Sequence, residues 1–194
     1  MRIVSTLLAY FAAVAAFAAA EIGQPAPAFT AKTLDGKTVS LSDYSGKIVV
    51  LEWYNPGCPF VKKFYDTGKM QEFQKDAIGK GIVWLVINTG GHNLENVTYY
   101  PGTVIQDETQ SIGRAYDAKV TPHCFVIDTK GVLAYKGAID SDADDNNGRA
   151  STNSANIDKA NNYVLAAVKA LKDGKSPVKT ESKPYGCGVK YKKS

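Results

Sequence analysis

The chain of 194 residues is short of cysteine, of histidine and of net charge. Its three cysteines, Cys58, Cys124 and Cys187, are too few for a disulfide-built scaffold, so a hydrophobic core must hold the fold. Three is odd, so at least one thiol stays free or bonds to another molecule. No two cysteines stand in a C-x-x-C pair, because Val61 follows Cys58 at that spacing. The formal charge of +4 is too mild to imply nucleic acid as a partner. The acids of Asp140 to Asp145 and the bases of the tail read as solvated surface, and "DSDADDNNG" as a solvated loop. That loop has Asp145 where a calcium loop needs its turn glycine and Ser151 where it needs the closing glutamate. Beyond residue 20 no apolar run is long enough to span a membrane. No internal repeat is present, and no cofactor motif.

What is there begins with "MRIVSTLLAYFAAVAAFAAA". Arg2 is a short positive region, an apolar run follows from Leu7 to Phe17, and small residues close it. This is the pattern of a secretory signal peptide over 1–20, cut after Ala20. The expectation is a secreted or periplasmic protein, one domain over 21–194, with membrane contact only if the leader were retained. Residues 175–194 form a basic tail that carries Cys187.

The pattern after the leader alternates strands and helices. "FTAKTLDGKTVSLSDYSGK" turns at Asp35-Gly36, a hairpin signal. "IVVLEWY" (48–54) and "GIVWLVIN" (81–88) are continuous apolar runs, expected as strands buried on both faces. From Pro59 a helix is expected, with Phe60, Val61, Phe64 and Tyr65 on one face and Lys62 and Lys63 opposite. Gly68 is a kink point. Val104-Ile105 is short and apolar. "DETQSIGRAYDA" reads as a helix capped by Asp107. "CFVIDTKGVLAYKG" makes two strands, 140–156 is loop, and a last amphipathic helix starts at Ile157 and stops at Gly174. The fold class is α/β, a mixed central sheet flanked by helices, with an N-terminal β-hairpin.

Cys58 sits in "NPGCPF", where a strand runs into a helix. Proline suits the first helical position, since its missing N–H would be unpaired there. Pro59 therefore makes Cys58 the N-cap, with its sulfur against exposed amides and the positive end of the helix dipole. Such thiols ionise more easily than free cysteine, and the thiolate is the nucleophile. The alternative is a buried structural cysteine.

"GKIVVLEWYNPGCPF" and, about sixty residues on, "VTPHCFVIDTKGVLAYKG" resemble the thioredoxin-like redoxins of exported bacterial proteins. The resemblance covers essentially the whole chain after the leader. It implies a thioredoxin-like fold, a cysteine at the helix start that attacks disulfides, and a cis proline opposite it. By position that proline is Pro122, and Thr121 precedes it in the substrate groove. Trp53 and Pro59 are expected at the groove as well, and His123 beside them. Glu52, six residues before Cys58, matches a buried acid that moves protons for the sulfurs. The alternative is an acid at the sheet margin. The sequence departs from the family at Val61, which stands in place of a second cysteine. Asn55 and Leu51 stand where a peroxiredoxin-like motif has threonine and proline. The branch resembled is peroxiredoxin-like with one thioredoxin-type cysteine.

A second sulfur is still required to resolve a mixed disulfide. Cys187 in "YGCGVKY" is the leading candidate, on a flexible tail whose glycines permit close approach. Relatives on this branch often carry such an element. The alternative is a free tail thiol. Cys124 is expected as a small core residue, on the same side as Pro122. Cys58, His123 and Cys124 are the residues that a converging metal set would use. Copper-delivering relatives use C-x-x-x-C, and Lys62 stands at its second position. No metal is assigned. The expected activity is thiol–disulfide exchange on a disulfide-bearing protein or a small thiol or peroxide, with an electron donor not named by the sequence. A hydroperoxide-reducing antioxidant and a non-enzymatic binding protein are the rival readings.

Overall fold

The computed structural model of the chain describes residues 19–94 and 101–193. The leader through residue 18, the Asn96-Val97-Thr98 sequon and the Tyr99-Tyr100 pair lie outside the described residues. The hairpin expected at Asp35-Gly36 is β1 (Thr30–Thr33) and β2 (Thr38–Ser40), and Gly36 takes φ 82° at its turn. The two apolar runs are β3 (Val49–Trp53) and β4 (Val83–Thr89), paired in parallel. Every residue of β3 is buried, as a two-faced apolar run requires.

Val104-Ile105 belongs to a full strand, β5 (Thr103–Asp107), which runs parallel to β4 and ties the hairpin to the sheet through β1. The later strands are β6 (Val120–Thr121), β7 (His123–Ile127) and β8 (Leu133–Gly137). Among the described residues the main sheet has the order β2-β1-β5-β4-β3-β7-β8, with β7 antiparallel to β3 and β8 antiparallel to β7.

The helices are α1 (Pro59–Tyr65), α2 (Lys69–Gly79), α3 (Ser111–Ala115), α4 (Asp142–Asp145) and α5 (Tyr163–Lys172). Gly68 does more than kink the first helical pattern. It takes φ 77°, a left-handed value that ends α1 and restarts the chain as α2. The helix expected from Asp107 begins at Ser111 instead. The Asp107 carboxylate still accepts from the Ile112 and Gly113 amides at 3.2 and 2.9 Å, so it caps the helix from the end of β5. The last helix starts at Tyr163 rather than Ile157, where the Asn162 side chain accepts from the Leu165 amide.

Two cores sandwich the sheet. Alternation along β3 sends Val50, Glu52 and Tyr54 to one face and Val49, Leu51 and Trp53 to the other. The first face is covered by α1, α2 and α5 through Val61, Phe64, Met70, Ala77, Val164 and Val168. The second is covered by α3 and the segment after residue 20, through Ile112, Tyr116 and Phe29. Each large side chain fully buried there contributes about 1.5–3 kcal/mol. No helix among the described residues is long and apolar enough to cross a membrane.

Two expectations for exposed charge are corrected. Lys63 is buried, not opposite the core face of α1, and "DSDADD" is a solvated stretch only at Asp144 and Asp145, while Asp140, Ser141 and Asp142 are buried and Asp142–Asp145 form α4. The Lys63 ammonium pairs with Asp142 of α4 at 3.0 Å, with both side chains at most 1% exposed. Asp140 and Ser141 are buried beside it. A helical face of seven residues is short, and a paired lysine can occupy its margin where polarity alone predicts solvent. The tail is corrected too. It is not loose but docked, as a strap that crosses the front of the molecule and adds β9 (Cys187–Gly188) antiparallel to β6.

Candidate active site

β3 delivers the chain to a tight turn. The Asn55 side chain accepts from the Gly57 amide at 2.8 Å, and its carbonyl accepts from the Cys58 amide at 3.1 Å. Cys58 then caps α1 with extended backbone, Pro59 takes the first helical position, and the Cys58 carbonyl accepts from the Val61 and Lys62 amides. Its side chain has no exposed surface.

Opposite it, the Thr121-Pro122 bond is cis. The Cys58 thiol donates to the Thr121 carbonyl at 3.0 Å. Thr121 is also the strand partner of Cys187. That pairing brings the Cys187 side chain close enough to the Cys58 sulfur for each to shift the other's ionisation, and both cysteines are free thiols. Gly186 makes this approach possible. At φ 135° a Cβ there would lie 2.0 Å from the Thr121 carbonyl oxygen, so no other residue fits. Gly188 has no such constraint, since only the Lys119 carbonyl comes near, at 3.9 Å.

The two sulfurs are not equivalent. Burial opposes ionisation of Cys58, but hydrogen bonds from Cys187, the Thr121 side chain and the Val61 amide outweigh it and hold the thiol below its usual range. Cys187 is pushed up to about 11, first by burial and then by its neighbour Cys58. Cys58 is therefore the more acidic sulfur of the pair, and Cys187 holds its proton more tightly. The third sulfur is inert: burial, then the charges of Glu52 and Asp140, push the Cys124 thiol up.

Glu52 is fully buried on the same side of the sheet as Cys58. Its carboxylate accepts from the Tyr65 hydroxyl at 2.9 Å, the Gln74 amide at 3.0 Å and the Trp84 indole at 2.8 Å. Burial raises it to about 7 against the pull of those three donors. Its cross-strand partner is Cys124. It is not an acid at the sheet margin.

Two residues expected at the groove lie elsewhere. Trp53 faces the second core, where its indole donates to Thr89 at 3.1 Å and its ring packs on Phe125 at 5.1 Å. His123 is on that side as well, its ring tilted against Phe125 with centres 4.5 Å apart. Burial lowers it to about 3. Strand alternation explains both: an odd step from Glu52 or Cys124 crosses the sheet. Cys58 and His123 are thus on opposite faces and do not converge on a metal.

The residues that sequence reasoning missed surround the strap. Tyr185 packs edge-on against Phe60, two residues into α1, at 5.8 Å, and its hydroxyl donates to Asp140 at 2.5 Å. The Lys63 ammonium lies 5.0 Å from the Tyr185 ring centre. The spacing Tyr185-Gly186-Cys187 was the available signal, because an aromatic two residues before a docked cysteine has to land on something.

The chain is 30% identical over 117 residues to the thioredoxin-like protein YneN of Bacillus subtilis (strain 168), covering 57% of this chain and 68% of that one. It is 29% identical to the thiol-disulfide oxidoreductase ResA of the same organism, covering 56% of this chain and 63% of that one. The crystal structure of the hypothetical protein SMc02350 from Sinorhizobium meliloti 1021 matches at TM-score 0.72 and 25% identity, covering 91% of this chain and 98% of that one. The family model described as the AhpC/TSA family matches residues 22–136, from before the hairpin to the end of β8. That span holds Cys58 at its helix, the cis Pro122 and the sheet that joins them, and the chain belongs to the AhpC/TSA family, with a thioredoxin-like fold.

Proposed function

We propose that the chain is a thiol–disulfide oxidoreductase whose working pair is Cys58 and Cys187. The observation that carries this reading is the seating of Cys187, through its pairing with Thr121, beside the Cys58 sulfur at the cis-proline corner. The name of the ResA relative agrees with it.

In the proposed cycle the Cys58 thiolate attacks a substrate disulfide, and one substrate sulfur leaves as a thiolate. The Cys187 thiol loses its proton and attacks the Cys58 sulfur. The second substrate sulfur leaves, and a Cys58–Cys187 disulfide remains. A dithiol donor then reduces that bond. Thr121 and Pro122 shape the groove, and Pro59 fixes the helix start. Glu52, poised near pH 7 on the same side of the sheet, is the proton store. Substrates are disulfide-bearing proteins or small disulfides. Export to an oxidising compartment through the leader, cut after Ala20, suits this chemistry and is part of the proposal.

Cys58→Ser is expected to abolish reduction of a model disulfide, and Cys187→Ser to leave a trapped mixed disulfide on Cys58. Full activity in the Cys58→Ser protein would overturn the reading. Sulfenic acid formed on Cys58 by peroxide faster than on an ordinary thiol would favour the antioxidant reading instead.

A further inference from the structure

A strap that only covered the site would have no use for a buried charge. Yet Asp140 is 3% exposed, and its carboxylate is satisfied on one side alone. Oδ1 accepts from the Tyr185 hydroxyl at 2.5 Å and from the Asp142 amide at 3.1 Å, while Oδ2 has no partner among the described residues. A half-satisfied buried carboxylate is destabilising, and a well-packed apolar residue would serve packing better. What the pair provides is direction. Tyr185 is anchored at its tip by Asp140, along its edge by Phe60, and over its ring by Lys63, and the last two stand on the helix that Cys58 opens. Only Gly186 separates Tyr185 from Cys187, and Gly186 is wedged against the Thr121 carbonyl with no room to adjust. The seat of Tyr185 therefore sets the seat of Cys187.

We propose that Tyr185 and Asp140 are positioning residues for the resolving step, holding the Cys187 sulfur in line with Cys58. The proposal rests on the exchange reading above. Positioning of this kind raises the effective concentration of Cys187 at Cys58. Burial raises the Asp140 carboxyl above its ordinary range, and the Tyr185 hydroxyl and then the Lys63 cation oppose that rise.

The test uses the full chain and a small aromatic disulfide that releases a coloured thiolate. The first thiolate reports attack by Cys58, and the second reports closure by Cys187. Tyr185→Phe and Asp140→Ala are expected to slow closure by about tenfold, timed from the first release so that any change in access to Cys58 is separated from it. Asp140→Asn keeps an oxygen acceptor and is expected to restore most of the closure rate. The same tenfold loss corresponds to a Cys58–Cys187 potential about 30 mV less reducing in glutathione buffers. Closure and potential at parent values in both Tyr185→Phe and Asp140→Ala would overturn the proposal, as would Asp140→Asn performing no better than Asp140→Ala. A parent protein that never forms the Cys58–Cys187 bond would instead defeat the exchange reading itself. If Tyr185→Phe fails to fold, the two Asp140 variants decide.

Discussion

At the scale of single residues, Glu52 and Gly186 are the two positions where the environment leaves least choice. Glu52 is raised to about 7 by burial, so between its ordinary value of 4.5 and 7 the folded chain holds more protons than the unfolded one. Stability must therefore fall as pH rises through that window and level off above it. The loss from this group is about 3 kcal/mol at the top of the window. Denaturant titrations of Glu52→Gln should lose that slope, since glutamine accepts from Trp84 and Gln74 without ionising. A parental slope in the variant would remove Glu52 as its source. Gly186 is constrained by contact, not charge. In Gly186→Ala a methyl would overlap the Thr121 carbonyl, so β9 must lift from β6. Cys58, which has no exposed surface in the docked form, should then react with a bulky maleimide at least about tenfold faster. Equal labelling of variant and parent would mean that the strap does not gate that sulfur.

Among the elements, α1 and α4 are held together by a pair that polarity alone hides. Lys63 donates to Asp142 and to the Ser151 carbonyl at 2.9 Å, and Asp142 also accepts from the Ser151 amide at 2.6 Å. Removing one partner of a buried pair leaves the other uncompensated, so Lys63→Met should cost about 3–5 kcal/mol in a urea titration. A cost below about 1 kcal/mol would show that water or the neighbouring asparagines replace the ammonium. This pair also marks the limit of what the sequence disclosed. The buried strands, the hairpin at Asp35-Gly36 and the Cys58–Pro59 junction are legible, because each has a local cause in β-branching, turn chemistry or proline geometry, whereas the cis Pro122 is legible only through the family resemblance. Lys63, Asp140 and Asp142 read as surface in the sequence because their partners are far away in the chain. Trp53 and His123 stand next to Glu52 and Pro122 in sequence, but strand alternation sends them through the sheet, away from the groove. Asp107 reads as an adjacent cap, and it caps α3 from four residues away.

For the whole molecule the strap is the organising feature, and it is tied down on both sides of Cys187. Before it, the Ser182 amide bonds the Lys136 carbonyl, and the Lys136 amide bonds the Thr180 carbonyl. After it, the Val189 amide bonds the Lys119 carbonyl, the Tyr191 hydroxyl donates to the Ala118 carbonyl at 2.7 Å, and Arg114 reaches the Lys192 carbonyl at 2.8 Å. The bonds at Lys136 have a consequence unrelated to sulfur. β8 ends the main sheet on that side, and Thr180 to Ser182 run along its outer margin and occupy hydrogen-bonding groups that would otherwise be open. An uncovered edge strand is a template for pairing with another chain. The same segment that brings Cys187 to Cys58 therefore also guards against self-association. A protein shortened to end at Lys179 should associate with rising concentration in sedimentation experiments under reducing conditions, while Cys187→Ser, with the strap intact, should sediment as the parent does.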